Sequence, residues 1–420
     1  MGTEHFPAAS GSADTLDAHF APVFEKIAAG AVAREQKREL ARDAVRGLLG
    51  AGFGRLRVPR EAGGLGASLK ESFTLLRTLA AADSNIPQIV RAHFAFVEGR
   101  RQQGQASERW FGIINDGALF GAAMAERSDE TNVSTTLLRQ PDGWRLNGTK
   151  YYSTGTLYAD WIIVWAASAD QRAHVVVRSD APGVSRVDDW DGFGQRLTGS
   201  GTTVFDNVAI PEDQIISSKA LTDLPAQSFL GAYYQQFHLA TLAGITQAVL
   251  RDALEFVRPR TRVFGVPGKV AQREDPVVQG VVGRMSALAF STAALVDRVS
   301  DALTEAEPDW VAGDRGSARI EAAQEIAFQA QQIVIEQALE AATLLFEVGG
   351  ASATSEKRRL DRHWRNARVL ASHNPAAQRL RELGDLALNG TPLWTPYREG
   401  LLRQAQAQAP THAEVQVGLA

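Results

Sequence analysis

The stretch Asp142-Gly143-Trp144-Arg145-Leu146-Asn147-Gly148-Thr149-Lys150-Tyr151-Tyr152-Ser153-Thr154-Gly155 decides how the chain is divided. Its opening Asp-Gly pair is a strong hairpin signal, and the residues after it read as a strand rimmed with hydroxyls. Alternation along such a strand sends Tyr152 and Thr154 to one face and Ser153 to the other. Around it, from about residue 119 to 210, short β-branched and aromatic runs recur between turn residues, at 133–138, 161–165, 175–177 and 202–205. None of the connections leaves room for a crossover helix of roughly ten residues. The segment is therefore expected to be a compact β-domain and not a βαβ unit.

Outward from this centre the texture is helical on both sides. Before it, residues 33–49 and 69–82 read as helices separated by a glycine-rich loop over 52–66, and Asp83, Ser84 and Asn85 stop one helix and cap the next. After it, Val278, Val281, Val282, Met285, Leu288, Leu295 and Val299 follow the three-four spacing of a buried stripe, and 318–346 is an alanine-rich helix of similar length. The expected division is a helical domain over 1–117, a β-domain over 118–220, a helical bundle over 221–403 and a loosely held tail over 404–420.

Composition removes several classes of function. Of 420 residues, 45% are apolar and 22% charged, which suits a globular protein of roughly two to four domains. The 44 Lys and Arg against 48 Asp and Glu leave a net charge of −4, with no general pull toward nucleic acid or anionic lipid. Without cysteine there are no disulfides, thiolate metal sites, iron–sulfur clusters or thiol nucleophiles. The longest apolar runs fall short of the roughly 18 to 20 residues that span a bilayer. The first residues carry acids and no apolar signal region, so a cytoplasmic location is expected.

No phosphate-binding loop ending in Lys-Ser or Lys-Thr is found, and neither is a His-Glu-x-x-His helix or a Gly-x-Ser-x-Gly elbow. Gly50, Gly52 and Gly54 imitate part of a dinucleotide fingerprint but follow a helical pattern instead of a strand. The histidines at 5, 19, 93, 174, 238, 363, 373 and 412 lack metal-ligand spacing, and no metal is expected. His373 has a second reason to be noticed. Asn374-Pro375 is a strong helix start, with Asn as N-cap and Pro at the first helical position, and Gly390 ends that helix. His373 then sits at a break between helices, where an imidazole can face a cleft and move protons near neutral pH.

Several segments, in order and in spacing, resemble the acyl-CoA dehydrogenase superfamily from about residue 17 to 397. They are Gly52-Phe53 through Val58-Pro59, Gly63-Gly64-Leu65-Gly66, the stop at Asp83, Met124-Ala125-Glu126, Lys150 through Thr154, Gly194-Gln195-Arg196, the run from Thr202 to Asp206 with Pro211, Gly349-Gly350, and Arg365-Asn366-Ala367-Arg368. The resemblance implies a mainly α fold with a central β-domain: an N-terminal helical domain, a β-barrel or sandwich in the middle and a C-terminal four-helix bundle. Two departures bear on activity. Asn374 falls where a dehydrogenase has its glutamate base, and an amide cannot serve as that base. Phe346 falls where the family has a glutamine that helps hold the pyrophosphate of FAD.

Three phrases, residues 147–155, 192–197 and 365–375, resemble a narrower branch, the two-component flavin monooxygenases of the dibenzothiophene monooxygenase type. That branch implies FMN delivered as FMNH2 by a separate NAD(P)H flavin reductase, reaction with O2 to a flavin C4a-hydroperoxide, and transfer of one oxygen atom to a small-molecule substrate. A homotetramer is implied as well. On this resemblance His373, Ser153 and His93 are the catalytic residues. Met124, Ala125, Tyr152, Ser153, Thr154 and Arg365 would bind cofactor. The phosphate would fall to Arg262, in a cluster with Arg258 and Arg260 before Phe264-Gly265. Phe94, Phe96 and Phe237 would line an apolar pocket for a small neutral heteroaromatic or organosulfur compound. The alternatives are an FAD-dependent acyl-CoA dehydrogenase with a displaced base, a flavin-dependent N-oxygenase, and a catalytically silent flavin-binding scaffold.

Overall fold

The computed structural model describes residues 13–126, 135–169, 171–220, 223, 229–263, 271–314, 316–393, 395 and 399–400. The tail expected over 404–420, Phe264-Gly265 and the start of the 133–138 run lie outside the described residues.

Among the described residues five α-helices precede the sheet: α1 (Ala13–Lys37), α2 (Arg42–Gly50), α3 (Leu69–Ala82), α4 (Ile86–Arg101) and α5 (Glu108–Asn115). The start of α3 is written in its sequence. Ser68 Oγ accepts from the Glu71 amide at 3.1 Å while Glu71 Oε2 accepts from the Ser68 amide at 2.7 Å, a reciprocal capping box. The helix expected over 33–49 is instead broken: α1 stops at Lys37, Arg38 takes a left-handed φ of 52°, and α2 begins at Arg42. The cause is tertiary. The Ala41 amide donates to the Tyr158 hydroxyl at 3.0 Å, and Arg42 donates to the Leu157 carbonyl at 2.7 Å, so a turn of the β-domain holds the break open.

The sheet contains β1 (Phe120–Ala123), β2 (Thr136–Gln140), β3 (Gly143–Lys150), β4 (Trp161–Ser168), β5 (Gln171–Arg178), β6 (Val184–Val187), β7 (Thr202–Ile210) and β8 (Ile215–Ala220). Its order is β6-β7-β3-β2-β4-β5-β8, with β1 parallel to β4. The hairpin falls where expected, with Gln140 opposite Gly143. Both faces of β4 are covered. Ile162 and Val164 point into a core with Leu146, Val175 and Phe205, while Trp161 and Ile163 pack with Phe120 of β1 and with Phe96 and Trp110 from the helices. This burial explains its unbroken apolar run.

Four helices follow: α6 (Phe229–Val257), α7 (Pro276–Val311), α8 (Ala318–Glu347) and α9 (Asp361–Ala371), with α10 (Ala376–Asn389) after a break. α6 packs against α3, α7 and α8 around one apolar core, to which Met285, Leu288 and Val299 of the expected stripe belong. Asp275 caps α7 and Ser317 caps α8, each through two backbone amides. Among the described residues no helix is long and apolar enough to cross a membrane.

Two of the singled-out phrases meet where sheet and helices join. The Gln195 amide donates to Asn366 Oδ1 at 2.6 Å, Gln195 Nε2 to the Ser84 carbonyl at 3.0 Å, and Asn366 Nδ2 to Ser84 Oγ at 2.9 Å. A Cβ on Gly194 would lie 2.2 Å from the Arg365 carbonyl oxygen, so only glycine lets the two backbones come this close.

Candidate active site

The break between α9 and α10 puts His373 against α4 and α6. Arg91 of α4 donates from Nη2 to His373 Nε2 at 3.4 Å, and His373 Nδ1–H donates to Asn374 Oδ1 at 3.2 Å. These contacts choose a neutral tautomer with the proton on Nδ1. His373 keeps an exposed surface, yet protein closes around it from three helices, as in the wall of an open cleft. Loss of hydration, reinforced by the positive charge of Arg91, lowers its pKa to about 4. At neutral pH it therefore accepts a proton and has none to give from Nε2. Gly390 ends α10 in a left-handed turn as expected, but the N-cap expectation is corrected: Pro375 holds the cap position, and Asn374 instead donates to Gln235 Oε1 on α6 at 2.7 Å.

Beside His373 lies His238 of α6, with ring centroids 4.3 Å apart. His238 is 2% exposed, and neither of its ring nitrogens has a hydrogen-bond partner. Burial holds it neutral, well below its ordinary pKa. Arg91 also stands over the Tyr234 ring at 5.0 Å, and Arg379 of α10 reaches Gln235 and Gln331. Sequence reading missed this group. Its signals were present: Tyr234 and His238 are four apart on α6, and Arg91 is a lone cation in the apolar run of α4.

The second part of the site is the turn after β3. Lys150, 1% exposed, pairs with Glu126, and Ala125 bridges to Tyr151, which ties the turn to the end of β1. Regular strand geometry ends at Lys150, and Tyr152 takes a φ of 54°. The expected division of faces nevertheless appears. Tyr152 is exposed and Thr154 half-buried, while Ser153 is fully buried with only a 3.4 Å contact from its hydroxyl to the Lys150 carbonyl. The hydroxyl on the open side is thus that of Thr154, joined to Ser200 at 2.9 Å and through it to Thr198 at 2.6 Å. A Cβ on Gly155 (φ 80°) would lie 2.7 Å from the Ile89 carbonyl oxygen, so this turn presses on α4 two residues before Arg91. Met124, half-buried, and Ala125, exposed, edge the same turn.

Other expected site residues lie elsewhere. His93 is fully buried, its Nε2 2.7 Å from the Gly54 carbonyl and its Nδ1 accepting from the Phe120 amide at 3.3 Å. Both nitrogens are bonded to backbone, so it ties α4 to the first loop and to β1. Two residues turn a helix by about 200°, which is why Arg91 reaches the cleft and His93 does not. The aromatic pocket is corrected too. Phe94 and Phe237 pack on each other with Phe53 and Phe73, and Phe96 stacks on Phe120 at 4.4 Å. All three are core. Arg365, expected at the cofactor, is engaged by Glu35, Asp361 and the Phe193 carbonyl and fastens α9 to α1 and to the 190s loop. Arg262 is exposed in the segment after α6.

Residues 122–208 match the family model of the acyl-CoA dehydrogenase middle domain and 237–378 that of the acyl-CoA dehydrogenase C-terminal domain, together more than half of the chain. A probable FMNH2-dependent monooxygenase, SfnC of Pseudomonas putida, is 28% identical over 83% of this chain and 87% of its own. Dibenzothiophene monooxygenase of Rhodococcus erythropolis is 28% identical over 88% of this chain and 90% of its own. In the fold comparison TdsC of Paenibacillus sp. A11-2, solved with FMN and indole, superposes with a TM-score of 0.81 at 24% identity, covering 91% of this chain and 98% of that one. By these matches the chain belongs to the acyl-CoA dehydrogenase superfamily, in the branch that resembles the FMNH2-dependent monooxygenases.

Proposed function

We propose that the protein is the oxygenase of a two-component system, taking FMNH2 from a separate NAD(P)H flavin reductase and inserting one atom of O2 into a small molecule. The overall balance is substrate plus FMNH2 plus O2 giving oxygenated substrate, FMN and water. The observation that carries this reading is the state of the α9–α10 break. Asn374 is bonded to Gln235 and His373 and is no base, while the neighbouring His373, exposed at the cleft edge, is neutral with its Nε2 accepting from Arg91. That arrangement disfavours proton abstraction from an acyl-CoA by a carboxylate at this position.

The donor set fits a flavin. The turn over 151–155, its amides held by Ala125, Gly201 and Thr198, offers the Thr154 hydroxyl beside the end of β1, and Tyr152 lies edge-on to Trp190 at 5.9 Å, an environment matched to a flat ring with a polar edge. Met124, Ala125, Tyr152 and Thr154 would hold the ring, with Ser153 buried behind them, and Arg262 the phosphate. Bound reduced FMN supplies the two electrons and the C4a carbon at which O2 is activated. His373 takes a proton at Nε2, Arg91 keeps that imidazole neutral until it does so, and Thr154 orients the ring edge. A substrate with a soft sulfur or heteroaromatic centre remains the proposal for the atom oxidised. A cytoplasmic homotetramer is proposed with it.

The test is turnover of a panel of thioethers, sulfinates, amines and indoles with FMN, NADH and a flavin reductase under ¹⁸O2. A product carrying one ¹⁸O supports the reading. Tight FAD with anaerobic oxidation of an acyl-CoA overturns it.

A further inference from the structure

We propose that the cleft holds an oxyanion of the substrate, a sulfinate, sulfonate or carboxylate group, on the Arg91 guanidinium and a His238 N–H, beside His373. This deepens the oxygenase reading, on which it rests, by naming the substrate class. It also replaces the expectation of a neutral ligand, since the three phenylalanines behind that expectation are core residues.

Three observations carry it. First, the Arg91 guanidinium is half-buried and meets no carboxylate. Its contacts are His373 at 3.4 Å and the face of Tyr234, and its Nε is buried without a partner. A guanidinium partly withdrawn from water without an anion loses hydration that a paired counter-charge offsets. Second, His238 is 2% exposed with two unpartnered ring nitrogens, 4.3 Å from the His373 ring. A buried imidazole without a bond on either side is rare in a finished core; one N–H placed here is a donor awaiting an acceptor. Third, the other polar groups around them are neutral or cationic: Gln235, Asn374, Tyr234 and Arg379. An acid, Glu382, stands one turn along α10 from Arg379 and acts on it. A planar guanidinium fork and an imidazole N–H are donors matched to the oxygens of such a group.

The same chemistry has a second source, the phosphate of FMN, and the experiment separates the two. The FMN-loaded full chain is titrated calorimetrically with benzenesulfinate and with methyl phenyl sulfone, which share ring and sulfonyl core but differ in charge. We expect the sulfinate to bind at least ~10-fold more tightly, the preference to vanish in Arg91→Met and to survive in part in Arg91→Lys. His238→Phe should weaken the sulfinate alone. FMN and riboflavin affinities should be unchanged by Arg91→Met. Equal binding of the two probes, or a loss in Arg91→Met confined to FMN over riboflavin, overturns the proposal. Because binding needs no turnover, a missing ¹⁸O product sinks the oxygenase reading separately.

Discussion

His93 and His373 have the same lowered pKa, about 4, and opposite settings. Burial depresses both. In His93 each ring nitrogen meets a backbone partner, so the low pKa describes a strut between α4, the first loop and β1. In His373 one nitrogen faces a guanidinium at the edge of an open cleft, with the unpartnered His238 beside it. A shifted pKa alone does not separate structure from chemistry; the separation comes from what each nitrogen touches.

The contrast breaks most readily through substitution. His373→Ala should lower product formation roughly 10²-fold or more while FMN affinity stays within about 2-fold and stability within about 1 kcal/mol, since its surface is open. Stopped-flow turnover with supplied FMNH2 measures this, and unchanged rates would return His373 to the class of helix-end histidines. His93→Leu should do the reverse. It leaves the Gly54 carbonyl and the Phe120 amide unpaired, a loss of about 2–4 kcal/mol in urea unfolding, with activity per folded molecule retained.

Acid sharpens the same comparison. His93 has a folded pKa below its unfolded value near 6.5, so the unfolded chain binds more protons between about pH 6.5 and 4, and stability falls as pH drops through that window. The full effect is on the order of 3 kcal/mol for His93, and the half-buried His174 and the buried His363, also lowered to about 4, act in the same direction. Unfolding midpoints that stay flat from pH 7 to 4.5 would refute this. The smallest effects belong to the turn after β3. Thr154→Val should cut product formation about 10-fold, whereas Ser153→Ala, whose hydroxyl is buried with one long contact, should change it about 3-fold or less; the opposite ranking would place Ser153 at the ring.

Much of this architecture is legible in the sequence because it depends on local chemistry. Ser68 with Glu71, Asp275 with Pro276, and Ser317 announce helix starts, Asp142-Gly143 announces the hairpin, and the three-four stripe of α7 announces its buried face. The helix-break position of His373 followed from Pro375 and Gly390 in the same way.

What the tertiary structure alone decided is which side chain meets which. The break between α1 and α2 depends on Tyr158 and Leu157, more than a hundred residues away. The phrase around Asn366 and the phrase around Gln195 found their shared role only when their backbones touched. The choice of Arg91 over His93 is a matter of helix rotation relative to a distant break, and no spacing rule along one strand of sequence contains that angle. Local propensity determines elements within a few residues; a site is a set of long-range distances, set by how those elements pack.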